Sequence, residues 1–375
     1  MQKIALLSTG HPPKDERIFY KFARSLSTAG LEVTIVTSTS DLQTKEDQIT
    51  FDCFLKPGIK SANKLKKLNS TLAKYDPDVI IVSEPFALFT AFVFKLKSPK
   101  SVKIISDVTE WYPENVALKK QGIKKLMTYI LLFLFNILAS NLANGFIIGE
   151  LSKKKRYDFI APLKVKKIIS YFPVKSFFHC SPPPFSGKLF TICFTGLLTE
   201  DRGFLRLLEI TRQLKNRNPE TGIHLMLIGK FLNDNMKAEY IKVKDELNIS
   251  LVDWVPYERL SEVLSKADIC IDLRNTGFIY NNSLPIKIFE YLASGKPVIY
   301  SGIKSLIPLF SECEFGFLVD PMNDNEILNS IENYIHNPEL LQIHSKNGYA
   351  LIDEKYNWGK EEKELISFIQ KFLKP

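Results

Sequence analysis

The sequence predicts an α/β protein with two doubly wound domains that face a cleft. Short apolar runs of strand length alternate with amphipathic segments of helix length along the chain, which is the pattern of parallel sheets covered on both faces. A proline-rich stretch at residues 181–184 separates two such series and is interpreted as a linker. A length of 375 residues exceeds one ordinary core and suits two domains.

The two series assign the strands in order. In the first series, strands are predicted at residues 3–8, 32–37, 79–83, 103–107 and 145–148. The first helix is predicted over residues 15–28, with Gly30 ending it. In the second series, strands are predicted near residues 189–195, 224–228, 250–254, 268–273, 297–301 and 315–319. Because ligands of such sheets bind beyond the carboxyl ends of the strands, we expect the functional residues in the loops that follow them.

Composition narrows the class of protein. A hydrophobic content of 45% and a charged content of 24% are typical of soluble globular proteins. The N-terminus enters a short apolar strand without a cleavage region, so no signal peptide is predicted and a cytoplasmic location is expected. The five cysteines, including Cys313, are scattered and never form a Cys-x-x-Cys pair, so they predict neither a disulfide framework nor a zinc site.

The positive charge is concentrated in the first half of the chain. Residues 1–187 hold 28 Lys and Arg against 15 Asp and Glu. Lysines at 119, 120, 124 and 125 precede the apolar run 126–138, and residues 153–156 are basic again. This pattern fits either an interfacial segment on anionic lipid or a basic face over a buried core helix. A membrane-spanning helix is disfavoured, because the run is shorter than the ~20 apolar residues needed and contains Asn136. Nucleic-acid binding is disfavoured because no aromatic residues are interleaved with the basic clusters.

The most informative segment covers residues 281–299 and predicts an anion-facing helix start followed by a buried strand. Pro285 suits the first helical position, and the backbone amides before it are expected to be free. Lys287 lies in the first turn, where a cation opposes the helix dipole and therefore indicates a negatively charged partner. Glu290 follows on the same helix, which Gly295 ends before the strand.

This segment resembles the nucleotide-sugar site of the retaining glycosyltransferases of family 4, whose GT-B fold has two Rossmann-like domains. Their pattern is two glutamates separated by seven residues, then a Gly-x-Pro-Val-Ile strand. The second glutamate corresponds to Glu290, and the resemblance implies that it holds the donor ribose hydroxyls. Asn282 stands at the first, which in the family contacts the donor sugar near the transferred carbon. Bacterial members that build surface polysaccharides are closer still, with Asn, Ser, Pro-x-Lys and Phe-Glu-Tyr in this order.

The resemblance also identifies candidate ligands for the donor diphosphate. The family has Gly-Arg-Leu, and a Lys-Gly pair begins five residues after the arginine. In this chain Gly196 corresponds to the glycine and Arg202 to the lysine, whereas Leu197 occupies the position of the family's arginine. A guanidinium binds phosphate oxygens through two parallel hydrogen bonds, so we expect Arg202 to hold the diphosphate. Lys287 is the first candidate for the second cation, and Arg274 is the other.

Backbone groups complete the predicted donor site. The amides near Ser283 and Leu284 are expected to stabilise charge on the leaving diphosphate. Lys230 and Val255 follow the next two strands of the second domain, where the family places the nucleobase against backbone atoms. The catalytic residues expected from the resemblance are Arg202, Lys287 and Asn282.

Two loops of the first domain are expected to face the cleft and to contact donor or acceptor. The polysaccharide-building relatives have a similar His, Asp, Arg, Ile series after the first strand. The residues of this loop are Gly10, His11, Asp15 and Arg17. Asp107 and Glu110, past another strand end, are candidates for binding sugar hydroxyls. The alternative for both loops is structural, through interdomain packing, satisfied backbone groups and helix capping.

The resemblance implies a metal-independent hexosyl- or related transferase in O-antigen or capsule biosynthesis. It would move a sugar with retention from a nucleotide-diphosphate donor to a glycan, lipid-linked at the inner face of the plasma membrane. No cofactor is expected, since the donor is a substrate. No metal site is predicted either, because the Asp-Pro-Asp at 76–78 precedes a strand and so lies at the wrong edge of the sheet. A sugar-nucleotide epimerase or hydrolase and a catalytically silent binding protein stay open as alternatives.

The domain boundaries are predicted from the two series of strands and helices and from the resemblance. The N-terminal, acceptor-side domain is expected over residues 1–180 and the nucleotide-sugar domain over residues 188–356. Residues 357–375 are expected to form a helix that crosses back to the N-terminal domain, as the terminal helices of the resembling family do.

Overall fold

The computed structural model describes residues 1–55, 58, 60–312 and 314–373. Cys313 and the last two positions of the predicted terminal helix lie outside the described residues. The chain divides into two compact units, the first comprising Met1–Tyr171 with the terminal helix, and the second comprising Phe172–Asn357. The first unit thus ends nine residues before the predicted boundary, because Phe172 and Phe178 are buried in the core of the second unit.

The described part of the first unit contains an eight-stranded sheet in the order β3-β4-β2-β1-β5-β6-β7-β8. Its strands are β1 (Lys3–Ser8), β2 (Glu32–Thr37), β3 (Gln43–Glu46), β4 (Ile49–Asp52), β5 (Val79–Val82), β6 (Lys103–Val108), β7 (Gly145–Ile148) and β8 (Val165–Ile168). Neighbours pair in parallel except β3 with β4. The five predicted strands are confirmed to within one residue. The sequence reading missed β3, β4 and β8, because each has only four residues and none is a continuous apolar run.

The helices of this unit lie between its strands. The first begins as π-helical turns over Glu16–Ala23, which Asp15 caps by accepting hydrogen bonds from the amides of Arg17 and Ile18. Gly30 follows with φ of +83°, as a helix end requires. The α-helices are α1 (Arg24–Thr28), α2 (Ser61–Tyr75), α3 (Pro85–Lys97), α4 (Glu114–Ala117), α5 (Gly122–Ser140) and α6 (Leu151–Ile160).

The described part of the second unit contains a six-stranded parallel sheet in the order β11-β10-β9-β12-β13-β14. Its strands are β9 (Leu189–Leu198), β10 (Gly222–Phe231), β11 (Ile249–Val252), β12 (Ile269–Asp272), β13 (Val298–Ser301) and β14 (Gly316–Val319). All six strands were predicted. However, β9 and β10 each run three residues further, because they stay paired through Gly196 and Gly229. A Cβ at Gly229 would lie 1.9 Å from the Gly196 carbonyl oxygen, so this approach requires glycine.

Helices cover both faces of this sheet, with buried apolar clusters on either side. They are α7 (Phe204–Arg217), α8 (Asp234–Val243), α9 (Leu260–Leu264), α10 (Phe278–Asn282), α11 (Ile286–Ala293), α12 (Ile307–Phe310), α13 (Asp324–His336) and α14 (Pro338–Glu354).

The proline-rich stretch is part of the second unit, so its interpretation as a linker is wrong. The Ser181 amide donates to the Ser294 carbonyl at 3.1 Å, and the Gln342 amide group donates to the Pro183 carbonyl at 3.1 Å. These hydrogen bonds fix the segment to α11 and α14, which no local composition rule could indicate.

The last helix, α15 (Trp358–Leu373), packs on the first unit. The Trp358 indole is buried and donates a 2.9 Å hydrogen bond to the Ser25 hydroxyl. Glu361 accepts a hydrogen bond of 2.9 Å from the Ser170 amide. These contacts join the end of the chain to α1 and to the residues that follow β8.

Candidate functional site

Each sheet has one point where the strand order reverses, and the residues predicted to be functional gather there. In the first unit the chain runs outward from β1 to β2 and then crosses to β5 on the other side. In the second unit it runs from β9 to β10 and then crosses to β12. Doubly wound sheets bind ligands in the crevice that such a reversal leaves at the carboxyl ends of the strands.

In the second unit, Arg202 is placed by a tight connection between β9 and α7. A turn of 3-10 helix over Glu200–Arg202 is followed by Gly203 with φ of +80°. A Cβ at Gly203 would lie 2.2 Å from the carbonyl oxygen of Leu273, which follows β12. Glycine therefore lets the Arg202 turn approach the end of β12. The Arg202 guanidinium makes no hydrogen bond or ion pair with the residues that the structure describes.

Lys287 reaches the same place from α11. A Cβ at Gly196 would lie 2.8 Å from Lys287 Nζ and 3.4 Å from Arg202 NH1, so both cations flank the glycine near the end of β9. Lys287 Nζ donates to the Thr195 carbonyl and lies 3.4 Å from Asp272 Oδ2. Burial, together with the charges of Arg274 and Arg202, lowers the pKa of Lys287 to about 8, and Asp272 only partly opposes this shift. The amine is therefore a cation whose charge is incompletely compensated.

Arg274 has a different environment from the other two cations. Its Nε donates a 2.8 Å hydrogen bond to Asp272 Oδ1, and its NH2 donates to the other oxygen of the same carboxylate. Both side chains are buried. Burial alone would raise the pKa of Asp272, but Arg274 and Lys287 lower it to about 2. Since Asp272 matches the charge of Arg274, this arginine orients the carboxylate, and Arg202 and Lys287 remain as the cations for an anion.

Asp201 and Tyr280 were not singled out from the sequence. The Tyr280 hydroxyl donates a hydrogen bond to Asp201, which lies beside Arg202 in the chain. The Arg274 guanidinium stacks 5.1 Å from the Tyr280 ring centroid. Thus Tyr280 connects the Arg202 turn to the segment after β12. Only the spatial proximity of the two loops reveals this role, since 79 residues separate the bonded pair.

The segment before α11 departs from its prediction in two details. Pro285 precedes the helix as its N-cap, one position earlier than predicted. The Ser283 amide donates to the Tyr280 carbonyl at 3.4 Å, so the expectation of a free amide there is wrong. The cause is α10, a short helix that the sequence reading did not predict and that ends at Asn282. Asn282 Nδ2 donates to the Phe278 carbonyl at 2.7 Å.

The remaining donor-side residues lie on the same unit. Glu290 is buried on α11, one turn after Lys287, and Leu284 packs against the apolar core. Lys230 is exposed at the end of β10, with its Nζ 5.8 Å from the ring centroid of Trp254. Trp254 is 68% exposed and directly precedes Val255. The sequence reading missed this tryptophan as a site residue, although a large aromatic just after a strand is a usable signal for stacking.

In the first unit, a pocket of about 210 Å³ lies at the reversal between β1 and β5. Residues from the ends of β1, β5 and β6, from the segment before α4, and from α5 and α6 line it. Among these lining residues are His11, Glu84, Asp107, Glu110, Asn136 and Ser140. The predicted residues His11, Asp107 and Glu110 are thus brought to one cavity. Gly10, Asp15 and Arg17 lie outside its lining, although each of them bonds to a residue that forms it.

His11 is held between two carboxylates. Its Nδ1 lies 3.2 Å from Asp15 Oδ2, and its Nε2 lies 3.6 Å from Glu84 Oε1. The hydrogen bond to Asp15 raises the pKa of His11, although burial and Arg17 oppose this. Burial alone would raise the pKa of Asp15, but His11 and Arg17 lower it to about 2. The arrangement favours a protonated imidazole at the pocket edge.

Arg17 and Asp107 form a buried ion pair, with Arg17 Nε 2.6 Å from Asp107 Oδ2. The Tyr171 hydroxyl donates to the other carboxylate oxygen at 2.5 Å. Burial alone would lower the pKa of Arg17, but the charges of Asp107 and Asp15 raise it above its usual value. Both oxygens of Asp107 are therefore engaged within the protein, which fixes the wall of the pocket.

Glu84 organises the loop after β1 and was missed in the sequence. It accepts hydrogen bonds from the Ser8 hydroxyl at 2.6 Å and from the Thr9 amide at 3.0 Å. It also accepts from the Gly10 amide at 3.2 Å. A signal was present, since the Glu-Pro pair at 84–85 directly follows the strand predicted over residues 79–83 and opens a helix.

Among the described residues, no group of three or more His, Cys, Asp or Glu side chains is placed to hold a metal ion. Of the Asp-Pro-Asp triplet, Asp78 pairs with Lys100 at 2.9 Å and accepts from the Lys3 amide at 2.8 Å, at the amino end of β1.

Part of the chain matches a known family. Residues 181–351 match the model described as glycosyl transferases group 1. A Haemophilus influenzae protein described as an uncharacterized glycosyltransferase is 27% identical over 181 residues, which cover 45% of this chain and 46% of that protein. The chain thus spans about half the length of that relative. The family match lies within the second unit and contains Arg202, Lys287 and Glu290.

Solved structures resemble the whole chain. Sucrose-phosphate synthase from Thermosynechococcus elongatus is 16% identical, with a TM-score of 0.71 over 100% of this chain and 99% of that one. The fold is GT-B. The Anabaena protein HepE, solved with UDP-glucose, shares it at 14% identity and a TM-score of 0.72, over 99% of this chain and 100% of that one. The GT-B fold comprises two Rossmann-like domains, and each unit described above is one of them.

Proposed function

We propose that this protein is a retaining glycosyltransferase of family 4 from the branch that builds surface polysaccharides such as O-antigen or capsule. It transfers a hexosyl or related group from a nucleotide-diphosphate sugar to a glycan acceptor. The observation that carries the proposal is the pair of cations, Arg202 and Lys287, that flank Gly196 at the strand-order reversal of the second unit. The match to group 1 glycosyl transferases over the same unit supports it.

As the glycosidic bond breaks, negative charge develops on the departing diphosphate, and the enzyme has to stabilise this charge. Arg202 offers two parallel N–H donors, and Lys287 offers a half-buried ammonium group whose charge Asp272 compensates incompletely. Cations fixed before the reaction stabilise the developing charge without reorganisation and without a metal ion. Asp272 and Arg274 position Lys287 and are not themselves ligands of the diphosphate.

The residues that bind the rest of the donor are assigned by resemblance and by position. Glu290, buried one turn after Lys287, holds the ribose hydroxyls. Asn282, at the end of α10, is assigned to the donor sugar by the resemblance. Trp254, with Lys230 beside it and Val255 next in the chain, offers a face for the nucleobase. The complex of HepE with UDP-glucose supports uridine diphosphate as the first nucleotide to test.

The acceptor binds in the pocket of the first unit, which is lined by polar and charged side chains that can form hydrogen bonds with sugar hydroxyls. His11, Glu110 and Asn136 line it, while Asp107 is fixed by Arg17 and Tyr171. We propose a lipid-linked glycan at the cytoplasmic face of the membrane as the acceptor.

Replacement of Arg202 tests the proposal directly. The variant Arg202→Ala should lose transfer activity by roughly a hundredfold to a thousandfold, as expected for one missing donor at a developing negative charge. Transfer is measured with radiolabelled UDP-sugars and membrane extract as acceptor source. The control is Arg212→Ala, which removes a partly exposed arginine of α7 that pairs with Glu209 and Glu246. Equal rates for Arg202→Ala and Arg212→Ala would refute the assignment of the diphosphate site.

A catalytically silent binding protein is the second candidate, and Asn282 favours it, since the family has a carboxylate at that position. The glycosyltransferase and the silent binding protein are distinguished by titrating the wild type with UDP-sugars in the calorimeter and then assaying sugar transfer. Donor binding without turnover would favour the silent protein, whereas conversion of labelled donor in the absence of any acceptor would identify an epimerase or hydrolase.

A further inference from the structure

Helix α5 exposes a continuous apolar surface, called here the α5 face. Eight large apolar side chains on this helix are between 44% and 71% exposed: Ile123, Leu126, Met127, Ile130, Leu131, Leu134, Phe135 and Leu138. Their spacing of three and four residues places them along one side of the helix. Exposed apolar patches of this extent mark interaction surfaces in proteins.

The opposite side of α5 is held by the first unit. Asn136, Ala139 and Ser140 are buried, and the Asn136 amide group donates to the Tyr112 carbonyl at 3.3 Å. Among the described residues, α5 alone is long and apolar enough to cross a membrane, yet only 6% of that stretch is buried in the protein. Because one side of α5 packs against the protein and the other side is exposed, the exposed side can lie along an apolar phase.

The charges around the α5 face indicate what covers it. Lysines 119, 120, 124 and 125 are exposed at its amino-terminal end. No acidic residue occurs between Glu114 and Glu150. An apolar stripe bordered by lysines matches a bilayer whose acyl chains receive the stripe and whose anionic headgroups receive the ammonium groups. A second copy of the chain would bring a second lysine cluster to the same surface and no compensating carboxylate from this helix.

The same helix also forms part of the first-unit pocket. Asn136, Ala139 and Ser140, on its buried side, line that cavity. A helix with its side chains is about 10 Å across, so the cavity lies about that distance from anything that covers the α5 face.

We propose that the α5 face docks on an anionic lipid bilayer and so holds the first-unit pocket at the membrane surface. A polar group carried on a lipid in that bilayer can then enter the pocket while its acyl or prenyl part stays in the membrane. The docking stands on the α5 face alone, and the identity of the pocket's ligand as the acceptor rests on the proposed function.

Vesicle binding tests the docking without any assay of activity. The wild type should co-sediment with phosphatidylglycerol vesicles at low salt, and less with phosphatidylcholine vesicles or at high salt. Leu131→Gln and Leu134→Gln should each weaken binding roughly tenfold, and Lys124→Gln and Lys125→Gln roughly fivefold each. The matched control is Ile241→Gln, which changes a residue on α8 of the second unit that is 54% exposed. Circular dichroism and thermal unfolding verify that each variant is folded.

The outcomes separate the docking from the proposed function. If the wild type does not bind anionic vesicles, or if the α5 variants bind as well as Ile241→Gln, the docking is refuted. If light scattering shows a dimer that the α5 substitutions dissociate, the face is covered by a second copy and the docking is refuted as well. If vesicle binding behaves as stated but no sugar is transferred to any lipid-anchored acceptor, the docking stands and the proposed function fails.

Discussion

Lys287 and Arg202 meet only through folding, since 84 residues lie between them in the chain. Gly196 lets them approach, because a side chain there would occupy the space next to Lys287 Nζ. Asp272 holds Lys287 in place but already pairs with Arg274. Lys287 therefore keeps a charge that an anion can complement.

The lowered pKa of Lys287 predicts proton uptake when the nucleotide binds. A half-buried amine with a pKa of about 8 becomes mostly neutral above that pH, and a diphosphate beside it restores the charged form. In the free protein the charged form of Lys287 is destabilising; this effect is full below about pH 8 and diminishes as pH rises from there toward 10.5, the ordinary lysine value. Affinity for uridine diphosphate should accordingly fall as pH rises above 8.

Calorimetric titrations at pH 8 in buffers of different ionisation enthalpy measure this uptake. Lys287→Gln should bind uridine diphosphate more weakly and without the lysine-linked proton. If the variant takes up as many protons as the wild type, the linked group lies elsewhere.

His11 should titrate above its ordinary pKa of 6.5, because Asp15 accepts its hydrogen bond. Protonated His11 then stabilises the fold fully below about pH 6.5, and the contribution is lost as pH rises through the folded-state pKa. Proton NMR of the imidazole measures the value directly, and Asp15→Asn should lower it. A pKa of His11 that is the same in both proteins would mean that Asp15 does not hold the charge.

At the scale of elements, the strands were the most predictable feature. Runs such as the one from Ile4 to Leu7 are buried on both faces and read as continuous apolar segments. The ends of β9 and β10 were not predictable, because their last residues include glycines and a lysine whose pairing depends on the neighbouring strand. The sequence reading also missed α10, whose five residues carry no capping signal.

The turn between β9 and α7 makes a prediction of its own. Gly203→Ala should destabilise the protein by at least about 3 kcal/mol, because it combines a left-handed backbone with a Cβ placed 2.2 Å from the Leu273 carbonyl oxygen. Gly30→Ala is the matched control, since Gly30 has a similar φ of +83° but no atom within 4 Å of the added Cβ. It should cost only about 1–2 kcal/mol. Urea unfolding of both variants compares the two, and equal losses would contradict the close approach.

For helix α5, the sequence left two alternatives, a surface segment on lipid or a basic face over a buried helix. Periodicity could not separate them, because a helix that is apolar on all sides is compatible with either environment. The structure answers part of the question, since most of the helix is exposed. What covers it is the subject of the vesicle experiment.

At the scale of the whole molecule, the last helix completes the first unit. Trp358 is 3% exposed, and its indole bonds to Ser25 from the far end of the sequence. Trp358→Ala should therefore lower the free energy of unfolding of the first unit by about 3–5 kcal/mol. Hydrogen exchange followed by mass spectrometry should show the loss of protection in α1 and β2. Trp254→Ala, which replaces an exposed tryptophan of the second unit, is the control and should leave both unaffected.

The alternation of strands and helices, the strand-end loops and the chemical type of most candidate residues could be predicted from the sequence, because these features depend on local periodicity and on short motifs. Four features became evident only in the folded chain: Asp272 neutralises Arg274, the Ser283 amide is bonded, the proline stretch belongs to the second unit, and Glu84 organises the loop after β1. Each of these depends on a partner distant in the chain. The charge or hydrogen-bonding capacity that a side chain retains for a ligand is what its protein partners leave unused, and those partners are brought together only by folding.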